Sequence, residues 1–170
     1  MSATHAAVLI VAAIACAFDV RFGRIPNLLT FGAAAAALVY SGITGGWTGL
    51  GLSLAGWGVG CAIFVPWFLL GGMGAGDVKL LAALGAWLGP TDALWTALYA
   101  GLAGGPLALL VSALRGYLKQ SFTNLWCLLM FWKVSGVQPM PGLTLRTASG
   151  PRLPYAVPIA VGALVTVWLR

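Results

Sequence analysis

The chain has 170 residues, of which 61% are hydrophobic and only 7% are charged. This composition excludes a water-soluble globular domain, and the length accommodates about six apolar spans of roughly 17 to 25 residues. The net charge of +6 does not indicate nucleic-acid binding, because the basic residues are not interleaved with stacking aromatic residues on one polar face. We therefore expect an all-α, polytopic integral membrane protein with one membrane-embedded domain over residues 1–170.

Six transmembrane helices are predicted from the apolar segments. In chain order they cover residues 4–18, 27–43, 47–70, 78–88, 93–114 and 155–169. A further apolar segment, residues 122–134, is too short to span a bilayer and is predicted to be an interfacial or re-entrant helix. Residues 135–154 are rich in Gly and Pro and are predicted to form a loop, so the chain outside the membrane is concentrated in residues 115–153.

The basic residues lie on one side of this predicted topology. They follow the first and third spans and fill the segment between the fifth and sixth, at Arg21, Arg24, Lys79, Arg115, Lys119, Lys133, Arg146 and Arg152. The opposite loops, residues 41–46 and 89–92, contain no Lys or Arg. By the positive-inside rule the basic connections are cytoplasmic, and both termini then face outward.

Acidic residues are rare: the chain contains three, which are Asp19, Asp77 and Asp92. A carboxylate at membrane depth is costly and indicates a functional site by default. Asp19 and Asp77 fall at the same cytoplasmic face, so we predict that they face each other as a pair. Each alone has a simpler interpretation, because Asp19 could pair with Arg21 or Arg24 and Asp77 could cap the fourth span. Asp92 is predicted to cap the fifth span.

The residues around the two aspartates add detail. Asn27 is positioned to cap the second span. Gly74 and Gly76 remove side chains just before Asp77, which permits close approach of another backbone, such as that of a peptide substrate. Lys79 could orient Asp77 or bind lipid phosphate, although a role in setting the topology is the simpler interpretation.

These motifs resemble those of the type IV prepilin peptidases, in the class of intramembrane aspartic proteases that share a Gly-x-Gly-Asp motif. Residues 74–77, Gly-Ala-Gly-Asp, with Lys79 resemble the second aspartate motif of the family. Asp19 followed by residues 24–27, Arg-Ile-Pro-Asn, resembles the first. Residues 152–158 resemble the beginning of the family's last span. The short chain is similar to the minimal members associated with tight-adherence or Flp-type pili.

The resemblance implies that Asp19 and Asp77 are catalytic and that Gly74, Gly76 and Lys79 contact the substrate. The implied substrate is a prepilin whose short basic leader ends in Gly at the cytoplasmic face of the bacterial inner membrane. No metal or cofactor is implied. Longer members carry an amino-terminal domain with paired cysteines and an amino-methyltransferase activity, and since this chain has no CxxC pair we expect proteolysis without N-methylation.

Two other functions stay open on the sequence: a non-enzymatic membrane subunit of pilus assembly, and a small proton-coupled carrier that uses the aspartates as a relay. No internal repeat of the kind common in carriers is evident. Gly56 with Gly60 and Gly101 with Gly105 fit small-xxx-small helix packing, either within the chain or in a homo-oligomer.

Overall fold

A computed structural model describes residues 2–140, 142–144 and 153–170. These residues form helices and no strand, which confirms the all-α prediction. Helices α1, α2 and α4 are long and apolar enough to cross a membrane, and α6 is a shorter apolar helix. The helices in chain order are α1 (Ala3–Phe22), α2 (Asn27–Leu69), α3 (Ala75–Leu88), α4 (Pro90–Leu114), α5 (Leu118–Ser135) and α6 (Ala156–Leu169).

Helix α2 contains two of the predicted spans. It is 43 residues long, and Gly46 interrupts it with φ 57° and ψ −146°, a conformation that only glycine adopts without strain. Just beyond this break the chain turns back closely, because a Cβ on Gly49 would collide with the carbonyl oxygen of Ser41. The two arms, residues 27–45 and 47–69, correspond to the second and third predicted spans.

Helix α3 lies between the two arms of α2. Trp87 Nε1 donates to the carbonyl oxygen of Ala33 on the first arm at 3.0 Å, and Ser53 Oγ on the second arm donates to Ala86 at 2.7 Å. The side chains of Leu80, Leu81 and Leu84 are completely buried. Because protein surrounds α3, its 14 residues need not reach across the bilayer as an isolated helix would.

Glycines set the distance between α3 and the second arm. A Cβ on Gly56 would collide with the carbonyl oxygen of Gly85, and one on Gly60 would lie 2.7 Å from Ala82 Cα. The packing role predicted for Gly56 and Gly60 is therefore confirmed. Gly101 and Gly105 differ, since a Cβ on either would meet nothing within 4 Å, and they play no such role within the chain.

Helices α4 and α6 pack against each other in opposite directions. Thr96 Oγ1 donates to Thr166 Oγ1 at 3.1 Å in the buried contact, and Arg170 Nε lies 2.7 Å from Asp92 Oδ1 at one end. Asp92 therefore does not cap the fifth span as predicted. It lies in the first turn of α4, whose N-cap is Gly89, and it forms an ion pair with the last residue of the chain instead.

Helix α5 is peripheral to this bundle. None of its residues is buried, and it meets α4 through a contact of 3.1 Å between Ser112 Oγ and Ser121 Oγ. It extends the predicted short helix by a few residues at its amino-terminal end. The described residues between α5 and α6 contain no helix, as predicted, whereas Arg146 and Arg152 lie outside the described residues.

Candidate active site

Asp19 lies in the last turn of α1. The helix runs past the predicted end of the first span and stops at Gly23, whose φ is 64° and whose N–H donates to the carbonyl oxygen of Asp19 at 2.8 Å. The side chain of Asp19 points to another helix, because Asp19 Oδ2 accepts a hydrogen bond of 3.1 Å from the N–H of Ala156. Asp19 therefore connects the end of α1 to the beginning of α6.

Asp77 lies in the first turn of α3, where its Oδ2 accepts a hydrogen bond of 3.2 Å from the N–H of Gly74. This is the cap-like contact that the simpler interpretation of Asp77 predicted. The carboxylate can accept further hydrogen bonds, because its two oxygens together offer about four acceptor sites.

The two aspartates line one cavity of about 580 Å³, which we call the Asp cavity. Residues from three further segments complete the wall, among them Phe68, Arg115 and Pro154. The fold thus places on one cavity the two aspartates that the sequence predicted to lie at the same face.

Pairing of Asp19 with a neighbouring arginine is not observed. Within the described ranges, with their gaps at residue 141 and residues 145–152, the ion pair that forms is Arg170 with Asp92 at the other end of α4. Arg21 instead places its guanidinium 5.7 Å from the centre of the Phe22 ring. The simpler interpretation of Asp19 as the ion-pair partner of Arg21 or Arg24 is therefore wrong.

The two motif segments are in direct contact. Ile25 is buried, and a Cβ on Gly76 would lie 3.3 Å from Ile25 Cβ. Lys79 Nζ donates to Asn27 Oδ1 at 3.0 Å and lies 5.2 Å from the centre of the Phe31 ring. Asn27 therefore does not cap α2 as predicted, since the N-cap is Pro26 and makes no side-chain hydrogen bond.

The predicted substrate contacts thus divide into two groups. Gly74 lies on the wall of the Asp cavity, beside the Asp77 carboxylate. Gly76 and Lys79 lie where the beginning of α3 meets the beginning of α2, and substrate contact by either stays a prediction.

Arg115 was not predicted as a site residue. Its position just after the fifth predicted span suggested a role in topology. The sequence offered one further signal, because the predicted topology places the end of this span at the same membrane face as the end of the first span. Its presence on the wall adds a cation to a cavity that holds two acids.

A comparison with protein families shows the family to which the chain belongs. The model of the type IV leader peptidase family matches residues 6–109, which is more than half of the chain and includes both aspartates. The chain belongs to the type IV leader peptidase family. It is therefore a membrane-embedded peptidase, and the substrates of such enzymes are in general prepilins. No match was found among curated proteins or among solved structures.

Part of this leader peptidase's site lies beyond the matched residues. Arg115 and Pro154 on the wall of the Asp cavity, and the Ala156 N–H that binds Asp19, all follow residue 109. The carboxyl-terminal part of the chain therefore contributes directly to the surroundings of the two aspartates.

Proposed function

We propose that this leader peptidase is an intramembrane aspartic endopeptidase and that Asp19 and Asp77 are its catalytic pair. The observation that carries the proposal is that both carboxylates line one cavity, although they come from different helices. The chain has three acidic residues, and the third, Asp92, forms an ion pair with Arg170 at 2.7 Å. Asp19 and Asp77 are therefore the two acidic residues that remain for this role.

The chemistry follows from the repulsion between two negative charges in a poorly hydrated site. Full ionisation of both carboxyl groups is costly, so one retains a proton. The ionised carboxylate takes a proton from water, the water oxygen bonds to the scissile carbonyl carbon, and the protonated carboxyl donates its proton to the carbonyl oxygen. As the resulting diol collapses, the carboxylate that donated its proton takes one from a diol hydroxyl, the carbon–nitrogen bond breaks, and the other carboxyl gives the proton that it took from water to the leaving nitrogen. The retained proton belongs to the pair and not to either residue alone, because coupled groups titrate as a unit.

The proposed substrate is a prepilin, of the Flp-like type, cut after a Gly that ends its basic leader. Cleavage occurs at the cytoplasmic face of the bacterial inner membrane. A Gly at this position has no side chain that could obstruct close approach of the substrate backbone to the aspartates. In this proposal the product leaves without N-methylation.

The three residues predicted to contact the substrate have distinct proposed roles. Gly74 allows the substrate backbone to approach Asp77. Gly76 and Lys79 hold α3 against residues 25–31, which fixes the position of one aspartate segment relative to the other.

A cleavage assay in proteoliposomes tests the proposal. The substrate is a prepilin encoded in the same genome, and the enzymes are the wild type, Asp19→Asn, Asp77→Asn and the matched control Asp92→Asn. We expect the wild type and Asp92→Asn to remove the leader and the other two variants to lose at least about 100-fold in rate, the scale of acid–base catalysis. Mass spectrometry of the product, with S-adenosylmethionine present, is expected to give an unmethylated amino terminus.

Other results point elsewhere. Cleavage by both Asp19→Asn and Asp77→Asn would exclude the aspartic mechanism while leaving a peptidase. A wild type that is inert on several prepilins would favour a pilus-assembly subunit. Proton movement driven by a solute gradient in the same vesicles, lost in both variants, would favour the carrier.

A further inference from the structure

An apolar groove runs along the outside of the helix bundle between α2 and α4. It encloses about 760 Å³, which makes it larger than the Asp cavity. Its walls include Ile63 and Trp67 on α2, Leu94, Leu98 and Gly101 on α4, and Met73 in the connection between α2 and α3. We call it the α2–α4 groove. Nothing in the proposed mechanism uses it.

The groove adjoins the Asp cavity. Met73 lies on the walls of both. At two other points one residue lines the groove and its neighbour in sequence lines the Asp cavity. Trp67 faces the groove while Phe68 faces the Asp cavity, and Tyr155 faces the groove while Pro154 faces the Asp cavity. A chain lying in the groove could therefore continue into the Asp cavity without leaving the surface of the enzyme.

The groove opens to the side where lipid would lie. Leu94 and Leu98 are 53% and 51% exposed, and Trp67 is 53% exposed. Along α4 the groove extends from Thr91 to Gly101, which at 1.5 Å per residue is a length of about 15 Å, or half of the apolar thickness of a bilayer. It is thus a lateral apolar site that continues to the edge of the Asp cavity.

We propose that the α2–α4 groove binds the apolar transmembrane helix of the prepilin substrate. The inference rests on the proposed function, because it places the substrate helix beside the cleavage site at the Asp cavity. Continuity of the two surfaces favours this occupant over a lipid chain or a second copy of the enzyme, since neither needs access to the aspartates. The groove holds the side chains of one face of the helix, and the segment before the helix extends into the Asp cavity.

Gly101 allows a sharp test. A Cβ at this position meets nothing within 4 Å and Gly101 lines the groove, so we expect a large side chain here to occupy the groove. Gly105 is the matched control: it lies one turn further along α4, has the same free space, and is not part of the groove wall. The test compares Gly101→Trp with Gly105→Trp.

Two substrates separate groove binding from catalysis. One is the full prepilin, and the other is a peptide that contains the leader and the cleavage site but no apolar helix. We expect Gly101→Trp to raise KM for the prepilin about tenfold with little change in kcat, the signature of lost binding shared by ground state and transition state. The short peptide is expected to be cut equally by the wild type and both variants. Equal kinetics of Gly101→Trp and Gly105→Trp on the prepilin would overturn the proposal.

Photo-crosslinking tests occupancy without requiring cleavage. A photoreactive phenylalanine analogue replaces Gly101 or Gly105 in membranes that contain the prepilin, and we expect a crosslink to the prepilin from position 101 and not from position 105. Capture of lipid alone, or of a second enzyme chain, at position 101 would overturn the proposal in favour of that occupant. If the wild type cuts nothing but the crosslink at position 101 forms, the proposed chemistry fails while the groove assignment stands.

Discussion

Asp19 in the last turn of α1 accepts a hydrogen bond from the N–H of Ala156 at 3.1 Å, at the position where α6 begins. The first N–H groups of a helix have no partner within the helix, and a side-chain oxygen that binds one of them stabilises the helix end. Asp19 therefore has a structural contact as well as its proposed catalytic role, and substitutions that remove different parts of its side chain should separate the two.

We expect Asp19→Asn and Asp19→Ala to be equally inactive but unequally stable. Asn keeps an oxygen that can accept from Ala156, whereas Ala loses the cap, which typically costs about 0.5–2 kcal/mol. Thermal unfolding in detergent should show a lower Tm for Asp19→Ala and a nearly unchanged Tm for Asp19→Asn. If Asp19→Ala retained peptidase activity, the contact with Ala156 would be the main role of this residue.

Arg115 is predicted to shape the pH dependence of cleavage. With two carboxyl groups sharing a site, activity should be bell-shaped, since the rate needs one ionised and one protonated group. A cation on the wall stabilises the ionised form of a nearby carboxyl group. Without Arg115, the first of the two carboxyl groups therefore ionises only at a higher pH. Arg115→Gln should therefore shift the acidic limb of the profile to higher pH.

The control for Arg115 is Lys119→Gln. Lys119 is an exposed cation near the beginning of α5 and is not part of the wall of the Asp cavity. Its substitution changes the net charge by the same amount and should leave the pH profile in place. Identical shifts in both variants would mean that overall charge, rather than the position of Arg115, sets the profile.

Hydropathy was sufficient to predict most of the helices, because a bilayer requires long apolar segments. The apolar residues around Leu80 and Leu84 predicted a short helix at the right place, and the loop predicted before Trp47 coincides with the break at Gly46. Hydropathy does not specify which helix is surrounded by the others. The position of α3 between the two arms of α2 depends on glycine contacts that have no signal in an apolar profile.

The candidate site was predictable to a similar extent. Charge asymmetry placed Asp19 and Asp77 at one face, and the structure brings them to one cavity. The hydrogen bond partners were not predictable, since Asp19 binds a backbone N–H far along the chain and Asp92 pairs with Arg170. Contacts between residues distant in sequence depend on how helices pack, and a single sequence carries no record of that packing.

The crossing of α2 and α3 gives a stability prediction. Gly56→Ala places a methyl group against the carbonyl oxygen of Gly85, and overpacking of this kind typically costs about 1–3 kcal/mol. Gly58→Ala is the matched control on the same arm, since a Cβ there meets nothing within 4 Å and removal of a helix glycine favours the helix by about 0.5–1 kcal/mol. Thermal unfolding should show Gly56→Ala below the wild type and Gly58→Ala at or above it. Equal Tm values would show that the two helices separate at no cost.

The contact of Lys79 with Asn27 separates a positioning role from substrate binding. If Lys79 acts through Asn27, then Lys79→Met and Asn27→Ala should each lower kcat by a similar factor, and the double variant should be no worse than either, because coupled residues are not additive. The cost in stability should be small, about 0–1 kcal/mol, since the contact is exposed and such polar pairs contribute little.

The kinetic constants of these three variants decide between the two roles. Substrate binding by Lys79 predicts a higher KM for Lys79→Met and an unchanged KM for Asn27→Ala, because only the first removes the cation. Positioning predicts that KM stays the same in both while kcat falls, since the substrate still binds but the two aspartate segments shift relative to each other. Because Lys79→Arg keeps a cation that can donate to Asn27, this variant should recover most of the lost rate if Lys79 is a positioning residue.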